Sequence, residues 1–148
     1  MAQTLTRLLV HVVYSTKRRV DSIPADLEPE LYAYIGGICR GHECSLMAAG
    51  GTRNHSHLLI SLSKNLGLSE VVMDVKKDSS KFLKRKGVDG FGWQDGYGGF
   101  TIGESQVAPL RGYIARQKER HRTMTFEEEF LSLLKKYRVD YDPRYVWD

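Results

Sequence analysis

Two histidines separated by a single residue could together hold a metal ion. His55 and His57 lie in the segment NHSHLLISL, which has the apolar, β-branched character of a strand over residues 54–62. Side chains of a strand alternate between its two faces, so both imidazoles share one face, while Ser56 and Leu58 share the other. Neutral imidazole is a common metal ligand, and this pair could bind one divalent cation. The strand alone is equally compatible with two histidines that happen to alternate on a half-exposed surface.

A third ligand and a nucleophile could come from a later helix, predicted over residues 109–122. Tyr113 and Gln117 are four residues apart and therefore share one helical face, which Arg120 and His121 continue. A glutamine carbonyl can ligate a hard divalent ion, and a tyrosine one turn away could act as a nucleophile. By itself this spacing is more typical of a partly buried tyrosine beside a surface glutamine.

The elements that must position these residues alternate between strands and helices. The patterns predict strands over 5–16, 44–49, 54–62 and 96–102, a turn over 50–53, and helices from Pro24 and Pro29 to Gly41, from Leu68 to Lys86, from Pro109 to about Arg122, and from Thr125 to Tyr137. The last helix has a capping box, with Thr125 three residues before Glu128.

The order β-α-β-β-α-β is that of the split βαβ, ferredoxin-like class of α+β folds. We expect a four-stranded antiparallel sheet with the two crossover helices on one face, and appended C-terminal helices that carry the candidate nucleophile. The other face of the sheet is expected to be open, and the functional residues to lie on it. Because one architecture serves many tasks, the fold alone selects no function.

Composition limits the class of protein. The chain has 148 residues, 41% hydrophobic and 27% charged, which predicts one globular domain over residues 1–148. Cys39 and Cys44 are the two cysteines, too few for a disulfide scaffold or a four-cysteine zinc module. No apolar run approaches the ~20 residues of a membrane span, and the first residues do not resemble a signal peptide. We therefore expect a cytoplasmic protein without a membrane partner.

Basic residues are concentrated in two stretches, although the formal net charge is only +4. The first lies within residues 76–86, where five lysines and Arg85 face one acidic residue, Asp78. The second spans residues 111–122, where five basic residues face one acidic residue, Glu119. Either stretch is typical of a solvated helix face or of a surface that binds a polyanion.

The motifs together resemble a known family. The strand NHSHLLI, the later helix YIARQKERHR, the intervening FGWQDGYGGFTI and the final TFEEEFLSLLKKYRVDYDPRYVWD are similar, in order and spacing, to the single-tyrosine HUH transposases of the insertion sequence 200/605 family. The resemblance runs from HVVYSTKRR at His11 to Asp148. It implies an enzyme that cleaves and rejoins single-stranded DNA through a 5′-phosphotyrosine.

The resemblance also implies roles for individual residues. It makes His55, His57 and Gln117 the ligands of Mg²⁺ or Mn²⁺, although imidazole also suits Zn²⁺, and it makes Tyr113 the nucleophile. Ser56 stands where the family usually has a hydrophobic residue, and Arg120 where many relatives have a histidine. The second departure favours a phosphate contact for Arg120 over a metal or proton-transfer role for Arg120 and His121.

The expected partners follow from the same resemblance. Family members are homodimers that recognise hairpins in single-stranded DNA. The side chains expected to contact the DNA backbone are basic: Arg18, Arg19, Lys76, Lys77, Lys81, Lys84, Lys86 and Arg120. Two alternatives remain at this stage. One is a domesticated relative that acts on palindromic repeats without mobilising its own element, and the other is a non-catalytic module that binds single strands.

Overall fold

A four-stranded antiparallel sheet is the framework of the structure, a computed structural model that describes residues 2–148. The strands are β1 (Leu8–Ser15), β2 (Ser45–Thr52), β3 (His55–Leu62) and β4 (Gly98–Thr101), arranged in the order β2-β3-β1-β4. The helices are α1 (Glu28–Gly41), α2 (Leu68–Arg85), α3 (Val107–Ala115), α4 (Gln117–Arg120) and α5 (Phe126–Lys136). The predicted α+β, split βαβ order is confirmed. None of the helices among residues 2–148 has both the length and the apolar character to cross a membrane.

The main core lies between the sheet and α1 and α2. Apolar residues of α2 recur at helical spacing, so one side of this helix is buried while its lysines remain outside. The buried residues at this interface include Val12, Tyr14, Leu31, Ile35, Leu58, Ile60, Val71, Val75 and Leu83. Ser56 lies on this same face, where the hydroxyl of Tyr32 is 3.0 Å from its Oγ. The hydroxyl that replaces a hydrophobic side chain at position 56 is therefore hydrogen-bonded.

The second face of the sheet is covered, and the expectation of an open face is wrong. Phe126, Phe130 and Leu134 of α5 pack with Val13 and Phe100 of the sheet and form a second apolar cluster. These α5 residues are spaced four apart and make an apolar stripe, which favours burial against the sheet. The predicted capping box at the start of α5 is confirmed.

The hairpin between β2 and β3 turns later than predicted. Thr52 pairs with His55, so the turn consists of Arg53 and Asn54, and residues 50–52 belong to β2. Gly50 and its neighbour are needed for close approach rather than for the turn. A Cβ atom at Gly50 would lie 2.8 Å from the carbonyl oxygen of Ile114, and the missing side chain lets α3 pack directly on β2.

The predicted helix over residues 109–122 is divided in two. The interruption is at Arg116, with φ −102° and ψ 20°, between α3 and α4. Gly112 lies just before it and lowers the helical preference of the segment. Beyond the interruption Gln117 points inward and is 1% exposed, a placement that tertiary contacts set.

Candidate active site

β3 places His55 and His57 on the face of the sheet that α5 covers. Both side chains are fully buried, with 0% exposure. They lie opposite Ser15 and Val13 of β1 respectively. The predicted common face is confirmed by the contacts that both rings make with α5.

Glu129 of α5 is at the centre of this cluster. Its Oε1 lies 3.0 Å from Nε2 of His57, 3.0 Å from Nε2 of His121 and 3.5 Å from Nε2 of His55. Burial alone would raise the pKa of this carboxyl, but hydrogen bonds from His121 and His57 outweigh burial and hold the pKa well below its usual range. Glu129 is therefore a buried carboxylate surrounded by three imidazoles.

Gln117 connects the same groups. Its amide nitrogen donates to Oε2 of Glu129 at 2.9 Å, which turns its Oε1 toward Nε2 of His55 at 2.9 Å and Nε2 of His121 at 3.0 Å. The sequence disfavoured a metal or proton-transfer role for Arg120 and His121, but the structure places His121 with His55 and Glu129 in a group that could hold a metal ion. His121 joins the cluster because α4 is a separate short helix that directs both side chains inward.

The outer nitrogens of two of the rings face oxygen atoms. Nδ1 of His121 is 2.7 Å from the carbonyl oxygen of Met124, and Nδ1 of His55 is 2.8 Å from Oδ1 of Asn54. A ring that donates Nδ1–H to such an oxygen has the lone pair of Nε2 left to ligate a cation, which would then replace the hydrogen bond from Nε2 to Gln117 or Glu129. The donor set of imidazole nitrogen, amide oxygen and carboxylate oxygen therefore fits a divalent cation.

Tyr113 lies beside this cluster. Its hydroxyl donates a hydrogen bond to Oε2 of Glu129, and the guanidinium of Arg120 lies 4.5 Å from the centre of its ring. Burial and the bond to Glu129 raise the pKa of Tyr113 above its usual value. Tyr113 also lines a cavity of about 570 Å³ with His11, Lys136 and others, so it contacts both the buried cluster and an open space.

His11 of β1 is a further buried member of the cluster. It is 2% exposed, and its Nε2 lies 2.8 Å from Nδ1 of His57. Burial, followed by the neighbouring His57, lowers the pKa of His11 to about 3. The same two causes lower the pKa of His55 to about 3. Both rings are therefore neutral near pH 7.

A second cleft opens on the other side of the cluster, next to His121. It has a volume of about 1010 Å³ and includes Arg18, Arg19 and Arg122. Arg18 and Arg19 have φ values of 57° and 56°, in the left-handed region that non-glycine residues rarely adopt. This backbone places two consecutive arginines at one end of the cleft, close to the candidate site.

The comparison with protein families agrees with this geometry. A family profile described as "Transposase IS200 like" matches residues 4–117, most of the chain. The chain belongs to this transposase family. The matched segment contains His55, His57, Tyr113 and Gln117, whereas His121 and Glu129 lie beyond it.

Two solved structures have the same fold as this transposase. A candidate transposase from Deinococcus radiodurans R1 is 21% identical with a TM-score of 0.60, and the match covers 79% of this chain and 95% of the other. A REP-associated tyrosine transposase bound to a REP hairpin is 15% identical with a TM-score of 0.59, and the match covers 82% of this chain and 74% of the other. No curated protein matches the chain significantly.

The expected DNA-binding residues of this transposase fall on two different sides. Arg120 lies over Tyr113, and Arg18 and Arg19 border the cleft beside His121. The five lysines of the first basic stretch, in α2 and just after it, lie on the opposite side of the sheet. Lys76 donates to the carbonyl oxygens of residues 95 and 96, and Lys86 pairs with Glu30 at 3.0 Å. The structure therefore does not bring this basic stretch to the candidate site.

The sequence motifs did not reveal Glu129 or His11. Glu129 lies inside the predicted helix from Thr125 to Tyr137 and belongs to none of the spacings that indicated ligands. A signal for it is nevertheless present, because Glu129 lies within the apolar stripe of Phe126 and Phe130 rather than on the solvated side of α5. A lone carboxylate in a buried stripe requires partners of opposite charge or strong hydrogen bonds.

Proposed function

We propose that this transposase cleaves and rejoins single-stranded DNA at hairpin-bearing ends with Tyr113 as its nucleophile. The observation that carries the proposal is that the Tyr113 hydroxyl and three imidazoles share one carboxylate, Glu129. A nucleophile in contact with a set of metal-ligating side chains is the arrangement that phosphoryl transfer needs.

The metal would be held by the residues expected from the sequence, His55, His57 and Gln117, with His121 and Glu129 in addition. Carboxylate and amide oxygens favour Mg²⁺ or Mn²⁺, and the imidazoles make Mn²⁺ the better fit of the two. When bound, a divalent cation would offset the negative charge of the scissile phosphate and hold its non-bridging oxygens. The fit is supported by Nε2 of His55 and His121, which lie 2.9–3.5 Å from oxygen atoms of Gln117 and Glu129. His55, His121 and Glu129 are close enough together to hold one cation, and His57 adjoins them through Glu129 at 3.0 Å.

Protein side chains carry the rest of the reaction. Glu129 accepts the hydrogen bond of the Tyr113 hydroxyl and so orients the oxygen that attacks phosphorus. The tyrosine O–P bond forms as the Tyr113 hydroxyl passes its proton to Oε2 of Glu129, the P–O3′ bond breaks, and the 3′ oxygen leaves as a hydroxyl with a proton from solvent. Arg120, stacked on the same ring, is placed to contact the phosphate. Attack by another 3′-hydroxyl reverses these steps at a new junction without ATP.

The assembly is proposed on the resemblance described above. Residues 1–148 form one domain, two copies associate as a homodimer, and the DNA partner carries a hairpin. Size-exclusion chromatography with light scattering measures the mass of the free protein and of its complex with a hairpin oligonucleotide. A particle that contains one chain in both samples would contradict the homodimer.

The test of the nucleophile is the formation of a covalent adduct. The full chain is incubated with Mn²⁺ and a library of single-stranded hairpin oligonucleotides, and adducts are located by mass spectrometry. Tyr113→Phe should bind DNA but form no adduct. Tyr137→Phe is the matched control, because Tyr137 lines the same cavity without touching Glu129 in the described contacts. An adduct on any other residue, or hydrolysis without an adduct, would refute the role of Tyr113.

A further inference from the structure

His11 and His57 form a pair of stacked, buried imidazoles. His11 lies in the middle of β1 and is opposite Leu59 in the sheet, so its ring lies diagonally next to His57. The ring centres are 5.0 Å apart and the planes differ by 24°. Nε2 of His11 is 2.8 Å from Nδ1 of His57. This is a direct hydrogen bond between two buried side chains.

The second nitrogen of His57 faces the candidate metal ligands, with Nε2 3.0 Å from Oε1 of Glu129. A nitrogen that ligates a cation presents a lone pair, so a neutral His57 that ligates through Nε2 carries its proton on Nδ1. The Nδ1–H group then needs an acceptor, and the atom within hydrogen-bond distance is Nε2 of His11. A buried donor without an acceptor loses its hydrogen bond to water and gains nothing in return, so this tautomer needs the His11 acceptor.

We propose that His11 is a positioning residue, which accepts the hydrogen bond of His57 Nδ1–H and thereby directs His57 Nε2 toward the cation. The inference rests on the metal site proposed above. It extends a pattern that the other two rings already show, because Asn54 and Met124 provide oxygen atoms at Nδ1 of His55 and His121. His11 has the corresponding function for His57.

A histidine differs from those oxygen atoms in one useful respect. The carbonyl oxygen of Met124 can only accept a hydrogen bond, whereas the His11 ring can either accept or donate through Nε2. When no cation is bound, His57 can donate Nε2–H to Glu129 and accept a hydrogen bond from His11 at Nδ1. When a cation replaces that proton, the hydrogen bond between the rings reverses. Both states keep the two ring nitrogens of His57 and Nε2 of His11 paired.

The test measures Mn²⁺ affinity by calorimetry on the full chain for three variants. His11→Leu removes the acceptor, and we expect affinity to fall about 10–100-fold, as for other residues that orient metal ligands. His11→Gln places an amide near the position of Nε2 and should restore most of the affinity. Phe100→Leu is the control, because Phe100 packs against His11 with ring centres 6.3 Å apart but offers no hydrogen bond. Its affinity should be that of the wild type.

A second measurement reports the proton itself. Long-range ¹H–¹⁵N spectra of the chain loaded with diamagnetic Zn²⁺ should show the His57 proton on Nδ1. In His11→Leu the signature of a hydrogen-bonded Nδ1–H should be lost. If His11→Leu does not fold, as judged by circular dichroism, the wild-type spectrum decides, and a proton on Nε2 would overturn the proposal.

The outcomes separate this inference from the proposed function. Equal Mn²⁺ binding by the wild type and His57→Ala would refute the metal site and the inference with it. Loss of binding in His57→Ala together with wild-type affinity in His11→Leu would refute the role of His11 alone. An equal loss in Phe100→Leu and His11→Leu would assign the effect to loosened packing, which also overturns the inference.

Discussion

Acid should destabilise the metal-free protein over a pH range that two buried imidazoles set. Burial, followed by the neighbouring His57, lowers the pKa of both His11 and His55 from 6.5 to about 3. Between these values the folded rings stay neutral while the same rings in the unfolded chain are protonated. The unfolded state then binds more protons, so the free energy of unfolding decreases as the pH falls from 6.5 toward 3.

The size of this decrease in the free energy of unfolding follows from the pKa shifts of the two rings. One titrating group changes the free energy of unfolding by about 1.4 kcal/mol per pH unit, so the two rings together contribute up to about 2.7 kcal/mol per unit. Over two units this is about 5 kcal/mol, which is comparable to the whole stability of many domains. The pKa of Glu129 is held below its usual 4.5, and its own contribution is lost only below that pH. Above pH 4.5 the contribution of Glu129 is therefore constant and does not mask that of His11 and His55.

The assay is urea unfolding in EDTA, followed by the fluorescence of Trp93 and Trp147, from about pH 7 to about pH 4.5. His11→Gln removes one of the two rings and should halve the slope of stability against pH. Met73, an exposed residue of α2, supplies a control, since Met73→Gln removes no titratable group and should leave the slope unchanged. A wild-type slope below about 0.5 kcal/mol per pH unit, or a full slope in His11→Gln, would refute the reasoning.

Three further variants, one of them a double substitution, test the site, the charged surface and the packing. His57→Ala should abolish adduct formation and Mn²⁺ binding, and it should lower the stability by about 1–3 kcal/mol because buried partners lose their hydrogen bonds. Full activity at a matched folded fraction would refute the assignment of His57 as a ligand. Replacing Lys81 and Lys84 by glutamine should make the salt dependence of hairpin binding shallower by about one to two units, and an unchanged slope would mean that this face of α2 is only solvated. Gly50→Val should cost about 1–3 kcal/mol by overpacking against α3 and reduce adduct yield, whereas Gly41→Ala, whose added Cβ meets nothing within 4 Å, should do neither.

Local rules of the chain account for what the sequence predicted correctly. The strict alternation of a strand is enough to place His55 and His57 on one face, and the capping box is enough to place the start of α5 at Phe126. The Tyr113 and Gln117 pair also belongs to the same site. The two residues do not lie on one continuous helix, because the helix is interrupted at Arg116. This interruption depends on contacts with β2 and with the buried cluster, and such contacts cannot be recognised from the local sequence.

The two residues that the sequence motifs did not reveal, His11 and Glu129, both contact His57, which is far from them in the sequence. His11 and His57 are 46 residues apart, and His57 and Glu129 are 72 residues apart. Neither contact follows from spacing, because each requires the register of β1 on β3 or the docking of α5 on the sheet. The expectation of an open face also gave no indication of His11 or Glu129, since a face open to solvent places no carboxylate opposite the histidines.

The docking of α5 also explains how a charged carboxylate can lie in a buried site. Glu129 shares the buried stripe of α5 with Phe126, Phe130 and Leu134, each of which is at most 5% exposed. Burial of such side chains stabilises the fold by about 1.5–3 kcal/mol each. Together they are comparable to the several kcal/mol that burial of one charged group costs. The helix therefore docks for apolar reasons and carries the carboxylate with it. Since Glu129 is one residue before Phe130 and three after Phe126, a helix that covers the sheet necessarily presents this carboxylate to the histidines of β3.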